Sequence, residues 1–352
     1  MGNCLRSSDK LTAEILPHGG ATVYPTVRLR GSPNSIVAAY TRFAVLHDAV
    51  SSNPAPVAQP PPPPPPRTAA RGGGSEAAVP VVFRVGPQAA SGSRDALLRF
   101  IDLKFPDLAE EEEVAEAEVA AESGGGGREE ETGPLVARVT RLQHRSMTWH
   151  LERVVKWVED LATRGGRRAV DPKVGTWKME VAKFGRSYSQ LLEVMLEHAQ
   201  MEERLLFPIF DRADPGLCKA AKEEHARDLP IMNGIKEIIK SVEVLDSRSP
   251  NYRDTLYNLS TRLKSLQVQC KQHFMEEDLE LLPMMEAVEL SKEQDESALE
   301  QCFVVMQGTH GRLLKFLLEG LPPHDAMKYL DLISMCRDKE RMESMLKMVV
   351  EY

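Results

Sequence analysis

No stretch of this chain stays apolar over the ~20 residues that a membrane-spanning helix requires, and no secretory signal pattern stands at its start. Cysteine is sparse. The five present, Cys4, Cys218, Cys270, Cys302 and Cys336, include no Cys-x-x-Cys pair, which suits a reducing compartment and free thiols rather than a disulfide framework. Positive charge is also short: 44 lysines and arginines against 52 acidic residues leave a net charge of −8, which argues against a general nucleic-acid binder. These absences predict a cytoplasmic location, and 352 residues leave room for two domains.

What the chain does have is a repeated motif. In residues 197–208, Glu-His-Ala-Gln-Met-Glu-Glu-Arg-Leu-Leu-Phe-Pro, His198 and Glu202 stand four apart and share one face of a helix. The pattern returns in 272–283, Gln-His-Phe-Met-Glu-Glu-Asp-Leu-Glu-Leu-Leu-Pro, where His273 again has a glutamate at +4 (Glu277), a leucine at +8 and a proline at +10. A partly buried carboxylate costs several kcal/mol unless it is paired, protonated or bound to a cation. Imidazole nitrogen with carboxylate oxygen suits iron, manganese or zinc. A carboxylate also bridges two ions, which imidazole seldom does, so paired glutamates point to a two-metal site.

From Leu135 onward the chain reads as helices, over 135–163, 177–207, 216–246, 251–282, 292–319 and 323–350, separated by glycine and proline breakers. Long amphipathic helices with short connections predict an up-down four-helix bundle over 135–290, with extra helices over 291–352. The helices bearing the two motifs should be faced by further ligands. The third helix offers His225, followed by Leu229, Met232 and Ile235 on its apolar stripe. The first offers His144 and His150. Counted from the first turn, His198 lies ~20 residues or about 30 Å away, His144 about as far, and His150 roughly 9 Å shallower. His144 is therefore the expected partner and His150 the second choice. His310 and His324 lie beyond the bundle and read as surface or packing residues.

The order His144, His198-x-x-x-Glu202, His225, His273-x-x-x-Glu277 resembles the hemerythrin-like, cation-binding HHE family. That resemblance implies a four-helix bundle around a di-iron centre, these six residues as ligands, and glutamates that bridge both ions. It departs from the oxygen-carrying members at Leu229, where they have a second histidine, and at Glu277-Asp278, where they commonly have an aspartate at +5. The resemblance therefore implies iron, oxygen or redox sensing, or iron handling, rather than reversible oxygen carriage. Oxygen or peroxide would be the small-molecule partner.

The N-terminal third is different in kind. Residues 1–20 read as a disordered start whose Met-Gly-Asn-Cys resembles dually acylated proteins, with Gly2 and Cys4 as lipidation sites, although Arg6 stands where Ser or Thr is usual. Anchoring would place the protein peripherally at the plasma membrane. Residues 21–106 read as strand (26–30), helix (36–48), strand (79–85) and helix (91–102), interrupted by a Pro/Gly-rich insert at 51–75. The Gly31-Ser32-Pro33-Asn34-Ser35 turn, Val79-Pro80 and the helix start at Ser93 resemble the thioredoxin-like domain of glutathione S-transferases. Gly92 stands where that family has its glutathione-gripping glutamate. The resemblance thus implies a small α/β docking domain for a protein partner. Residues 107–134 read as a self-repelling acidic, glycine-rich linker.

The leading reading is a mainly α, metal-binding, non-enzymatic protein. The alternatives are a glutathione-dependent enzyme, against which Gly92 counts, and a non-catalytic helical scaffold. Because one acyl chain holds a membrane only marginally, Gly2→Ala should move a tagged protein from the membrane fraction to the soluble one; equal partition of both forms would remove the anchor.

Overall fold

The computed structural model describes residues 11–15, 27–31, 82–85, 88–91, 133–167, 175–288 and 290–350. The strands fall in one compact unit and the helices, as far as Met348, in another. The first unit contains β1 (Leu11–Ile15), β2 (Val27–Gly31), β3 (Val82–Val85) and β4 (Gln88–Ser91), an antiparallel meander in that order. Leu29 stands opposite Ala13 on one side and Phe83 on the other. The strands expected near 26–30 and 79–85 are present, and Leu11–Ile15, inside the stretch expected to lack structure, is paired as well. Every pairing is antiparallel, so the described strands contain no parallel β-α-β unit of the thioredoxin type. Ser91, the expected start of the helix over 91–102, instead ends β4, while residues 92–102, the helix expected over 36–48, Pro80, Gly2, Cys4 and the linker up to residue 132 lie outside the described residues.

The second unit is helical. Four long helices, α1 (Leu135–Arg164), α2 (Trp177–Met201), α4 (Lys219–Val244) and α5 (Pro250–Glu276), pack as a closed ring of neighbours, α1 on α2 and α5, and α4 on α2 and α5. Cross-helix contacts run in opposite directions along each pair. His144 meets His198 while Arg164 meets Glu180, and His225 meets His273 while Gly234 approaches Arg262. Neighbours are therefore antiparallel, as an up-down bundle demands. Val154, Val158, Leu191, Ile235, Leu256 and Leu263 are buried between them, each contributing about 1.5–3 kcal/mol by leaving water. At the end of α1, Gly165 takes a left-handed φ of 54° and its N–H returns to the Leu161 carbonyl, a conformation a side chain would disfavour.

Two helices do not end where their prolines suggest. After Met201 the chain makes a π-helical turn, Glu202–Leu206, and continues as α3 (Phe207–Ala213). After Glu276 it makes another, Glu277–Leu281, before a short α6 (Met284–Ala287). A proline in a regular ladder lacks the N–H and crowds the carbonyl four residues back. Here one residue is inserted ahead of each proline: Phe207 and Leu282 donate to the carbonyls of Glu202 and Glu277, five residues back. The helix survives Pro208 by widening rather than by stopping.

Beyond the bundle, the two helices expected over 292–319 and 323–350 are divided into α7 (Lys292–Val305), α8 (Gln307–Gly311), α9 (Leu314–Glu319), α10 (Pro323–Ser334) and α11 (Lys339–Val350). Side chains from elsewhere cause the breaks by capturing backbone donors. The Glu197 carboxylate takes the N–H groups of Gly308 and Thr309 at 3.0 and 2.7 Å, and Glu300 takes that of Asp338 at 3.1 Å. Helices α7, α9 and α10 pack on α1, which is thereby buried on two sides. Its second face carries polar groups that the added layer satisfies: Ser146 donates to the Leu317 carbonyl at 2.6 Å and His150 Nε2 to that of Phe316 at 2.7 Å. Gly320 lies so close that a Cβ there would sit 2.7 Å from the Ser146 carbonyl oxygen.

His150 is thus a packing residue, stacked on Phe316 at 3.7 Å. Burial, aided by Arg153, pushes its pKa down to about 3, and burial alone pushes that of His310 down to about 4. Both would titrate near 6.5 in the unfolded chain. The unfolded state therefore takes up protons first as pH falls below 6.5, so stability is full above that value and declines toward the folded pKa values. Replacement by glutamine keeps a donor for the Phe316 carbonyl but removes the titration. Between pH 6.5 and 4.5, His150→Gln should lose roughly 2–3 kcal/mol less than the parent in urea melts; parallel losses would contradict the assignment.

Candidate metal centre

Helices α1, α2, α4 and α5 each bring a histidine to the same level of the bundle, and the two π-helical turns each begin on a glutamate. His144, His198, Glu202 and Glu277 form one group, and Glu202, His225, His273 and Glu277 a second; within each group, one nitrogen or oxygen from every residue lies within 4.8 Å of the others. All six residues expected from the sequence meet here, and both glutamates belong to both groups. His150 is not among them.

The oxygens sit between the rings. Glu202 Oε1 lies 3.0 Å from His198 Nε2 and 3.4 Å from His144 Nε2, while Glu202 Oε2 lies 3.4 Å from His225 Nε2. Glu277 Oε2 is 3.4 Å from His144 Nε2 and 3.6 Å from His273 Nε2. Glu202 Oε2 and both oxygens of Glu277 are buried without a hydrogen-bond partner. Phe274 stacks on His144 at 4.6 Å and Phe207 on His225 at 5.7 Å, walling the groups with apolar surface.

Each ring is gripped from behind at Nδ1. Asp278 Oδ1 stands 2.8 Å from that nitrogen in His144, Glu203 Oε1 3.1 Å in His225, and Glu224 Oε2 2.8 Å in His273. An ionised carboxylate only accepts, so these Nδ1 atoms carry the hydrogen and turn the Nε2 lone pairs inward. His198 is held at 2.8 Å by Gln143 Oε1 instead. The Nε2 atoms of His144 and His198 then face each other across 3.0 Å, and those of His225 and His273 across 3.1 Å.

Two opposed lone pairs repel unless a proton or a cation lies between them. In the metal-free protein the proton has a natural holder in each pair. Burial opposes protonation of His144, but Asp278, Glu202 and Glu277 outweigh it and hold its pKa well above the ordinary imidazole value. Burial likewise opposes protonation of His225, yet Glu202 and Glu277 lift it to about 9. Burial lowers His198. Burial and the neighbouring Glu202 raise Glu277, whereas the surrounding histidines overcome burial and keep Glu202 well below the usual carboxylate range.

The supporting carboxylates were not singled out as partners from the sequence, though a signal exists. Glu203, Glu224 and Asp278 are each adjacent in sequence to a member of the groups (Glu202, His225, Glu277) and each supports a histidine on another helix. Gln143, adjacent to His144 and supporting His198 on another helix, follows the same rule with an amide in place of a carboxylate.

The donor set, four imidazoles and two shared carboxylates in an apolar setting, fits transition-metal cations. A cation that takes the place of the protons between the rings must expel them. Adding Co²⁺ or Fe²⁺ anaerobically to metal-free protein at pH 7 in weak buffer should therefore release at least one proton per protein molecule; uptake without acidification would contradict the opposed-ring geometry.

No curated protein and no solved structure matches the chain. Residues 135–285, from the first residue of α1 into α6, match the family described as Hemerythrin HHE cation binding domain.

Proposed function

We propose that this bundle holds a di-iron centre, with His144 and His198 on one ion, His225 and His273 on the other, and Glu202 and Glu277 bridging both. The observation that carries the reading is the burial of three carboxylate oxygens with no hydrogen-bond partner at the point where both groups overlap. A bound iron pair would supply one-electron redox change and affinity for oxygen or peroxide. The chain's own residues orient four imidazoles through their Nδ1 partners and keep bulk water away through Phe207 and Phe274. Manganese and zinc suit the same donors and are the competing occupants.

Sensing or handling of iron, oxygen or oxidant is favoured over oxygen carriage. Leu229, where oxygen carriers place a further histidine, is 41 % exposed and lies off the buried stripe of α4 that runs through Asp228, Met232 and Ile235. That corrects its expected place on the stripe. Asp278 is engaged by His144 rather than turned into the groups. For the N-terminal unit, the reading is a docking domain for a protein partner, with Gly2 and Cys4 bringing the protein to the plasma membrane from the cytoplasm.

Protein expressed with ample iron and purified without chelator should contain about two iron atoms by metal analysis. His198→Ala and Glu277→Ala should each lower that content and reduce the melting-temperature gain on metal addition, since ligand binding to the folded state alone stabilises it. His324→Ala should leave both unchanged. Wild-type protein without transition metal, and ligand variants that melt like it, would overturn the reading.

A further inference from the structure

Among the four rings, His198 alone is backed by an amide, and an amide is ambiguous. With its oxygen toward the ring it accepts from Nδ1–H and leaves Nε2 free for a cation. With its nitrogen toward the ring it donates to Nδ1, the ring proton moves to Nε2, and that position is blocked. Which way Gln143 turns therefore decides whether His198 is a ligand.

The choice is made outside the four-helix bundle. His310 on α8 is buried, and its Nδ1 lies 2.9 Å from the Met306 carbonyl oxygen, which can only accept. Nδ1 therefore bears the hydrogen, and Nε2 must accept, which it does from the Tyr329 hydroxyl at 2.8 Å. Burial keeps this imidazole neutral, with its pKa down to about 4. With its hydrogen committed to His310, the Tyr329 oxygen accepts from Gln143 Nε2 at 3.0 Å, and the same amide nitrogen reaches Cys302 Sγ at 3.7 Å. The amide oxygen is left facing His198 Nδ1. Every donor runs one way, from the metal-facing ring to a main-chain carbonyl in the added layer. The far end is anchored independently, because Glu197, the neighbour of His198, clamps the amides of Gly308 and Thr309 at the start of α8.

We propose that Tyr329 and His310 are positioning residues of the metal centre, setting through Gln143 the tautomer in which His198 presents Nε2 to a cation. The C-terminal helices are then part of the centre, although they lie beyond the span that matches the family. This inference rests on His198 being a ligand.

The test is the affinity of the full chain for Co²⁺, measured by chelator competition in wild type, Tyr329→Phe, Gln143→Ala and the double variant, with metal-free melting curves as the control for folding. Loss of an outer partner of a metal-binding histidine typically costs 10–100-fold in affinity. Tyr329→Phe should weaken binding by roughly tenfold, at the lower end of that range. Gln143→Ala should weaken it at least as much, and the double variant should be no worse than Gln143→Ala alone, because the tyrosine acts only through the amide. If Tyr329→Phe does not fold, His310→Leu removes the next link and carries the same expectation. Wild-type binding by the tyrosine variant, or multiplied effects in the double variant, would overturn the proposal while leaving the di-iron reading intact. Wild-type protein that takes up no metal would instead sink the reading on which it rests.

Discussion

Two carboxylates and four inward-facing imidazole nitrogens occupy one dry volume between four helices, and much of the surrounding structure answers that fact. Left alone, such a collection is unstable: like charges on the glutamates repel, opposed lone pairs repel, and an unpaired buried carboxylate costs several kcal/mol. The metal-free protein meets part of this with protons on His144 and His225, drawn from solvent by the neighbouring carboxylates despite burial. It leaves Glu202 Oε2 and both oxygens of Glu277 without a hydrogen bond, with His225 and His144 at 3.4 Å from Glu202 Oε2 and Glu277 Oε2 as ion-pair neighbours only. A divalent cation resolves both at once, which makes its binding free energy part of the stability of the bundle.

The same demand organises the second shell. Three carboxylates, each adjacent in sequence to a member of the cluster, reach across to the ring on another helix, so that the helices are tied together through the residues that face the centre. Gln143, adjacent to His144, reaches across to the His198 ring in the same way but brings no charge. An acidic partner there would have placed a further negative charge in the most deeply buried part of the site. Gln143 supplies the acceptor without the charge, and the layer behind it supplies direction.

How much of this could be read from residues alone follows from the range of the interactions. The His-x-x-x-Glu pairs are local, one turn of one helix, and their repetition with a common proline made them legible. His225 was the one histidine its helix offered, His144 was reached by assuming antiparallel helices of known rise, and the structure brings both into the groups. What residue spacing did not show is that α1 is buried on two faces. With α7, α9 and α10 packed against its other side, polar residues such as Gln143, Ser146 and His150 are interior, and no periodicity of α1 itself announces a covering layer that lies more than a hundred residues away. The broken C-terminal helices were illegible for a related reason: apolar spacing continues through Met306 and Arg312, and the interruptions come from Glu197 and other distant side chains that capture backbone groups.

The paired π-helical turns have a mechanical consequence. All four histidines project from regular α-helix, where each turn is braced by its neighbours, while both glutamates open a widened turn that carries one residue too many. Backbone compliance is therefore distributed unequally around the centre: the nitrogen donors are fixed posts, and the oxygen donors are mounted on springs. A change in the size or charge of whatever lies between them would be taken up by the two glutamate turns and passed into α3 and α6, the short segments that continue from those turns toward the end of the bundle.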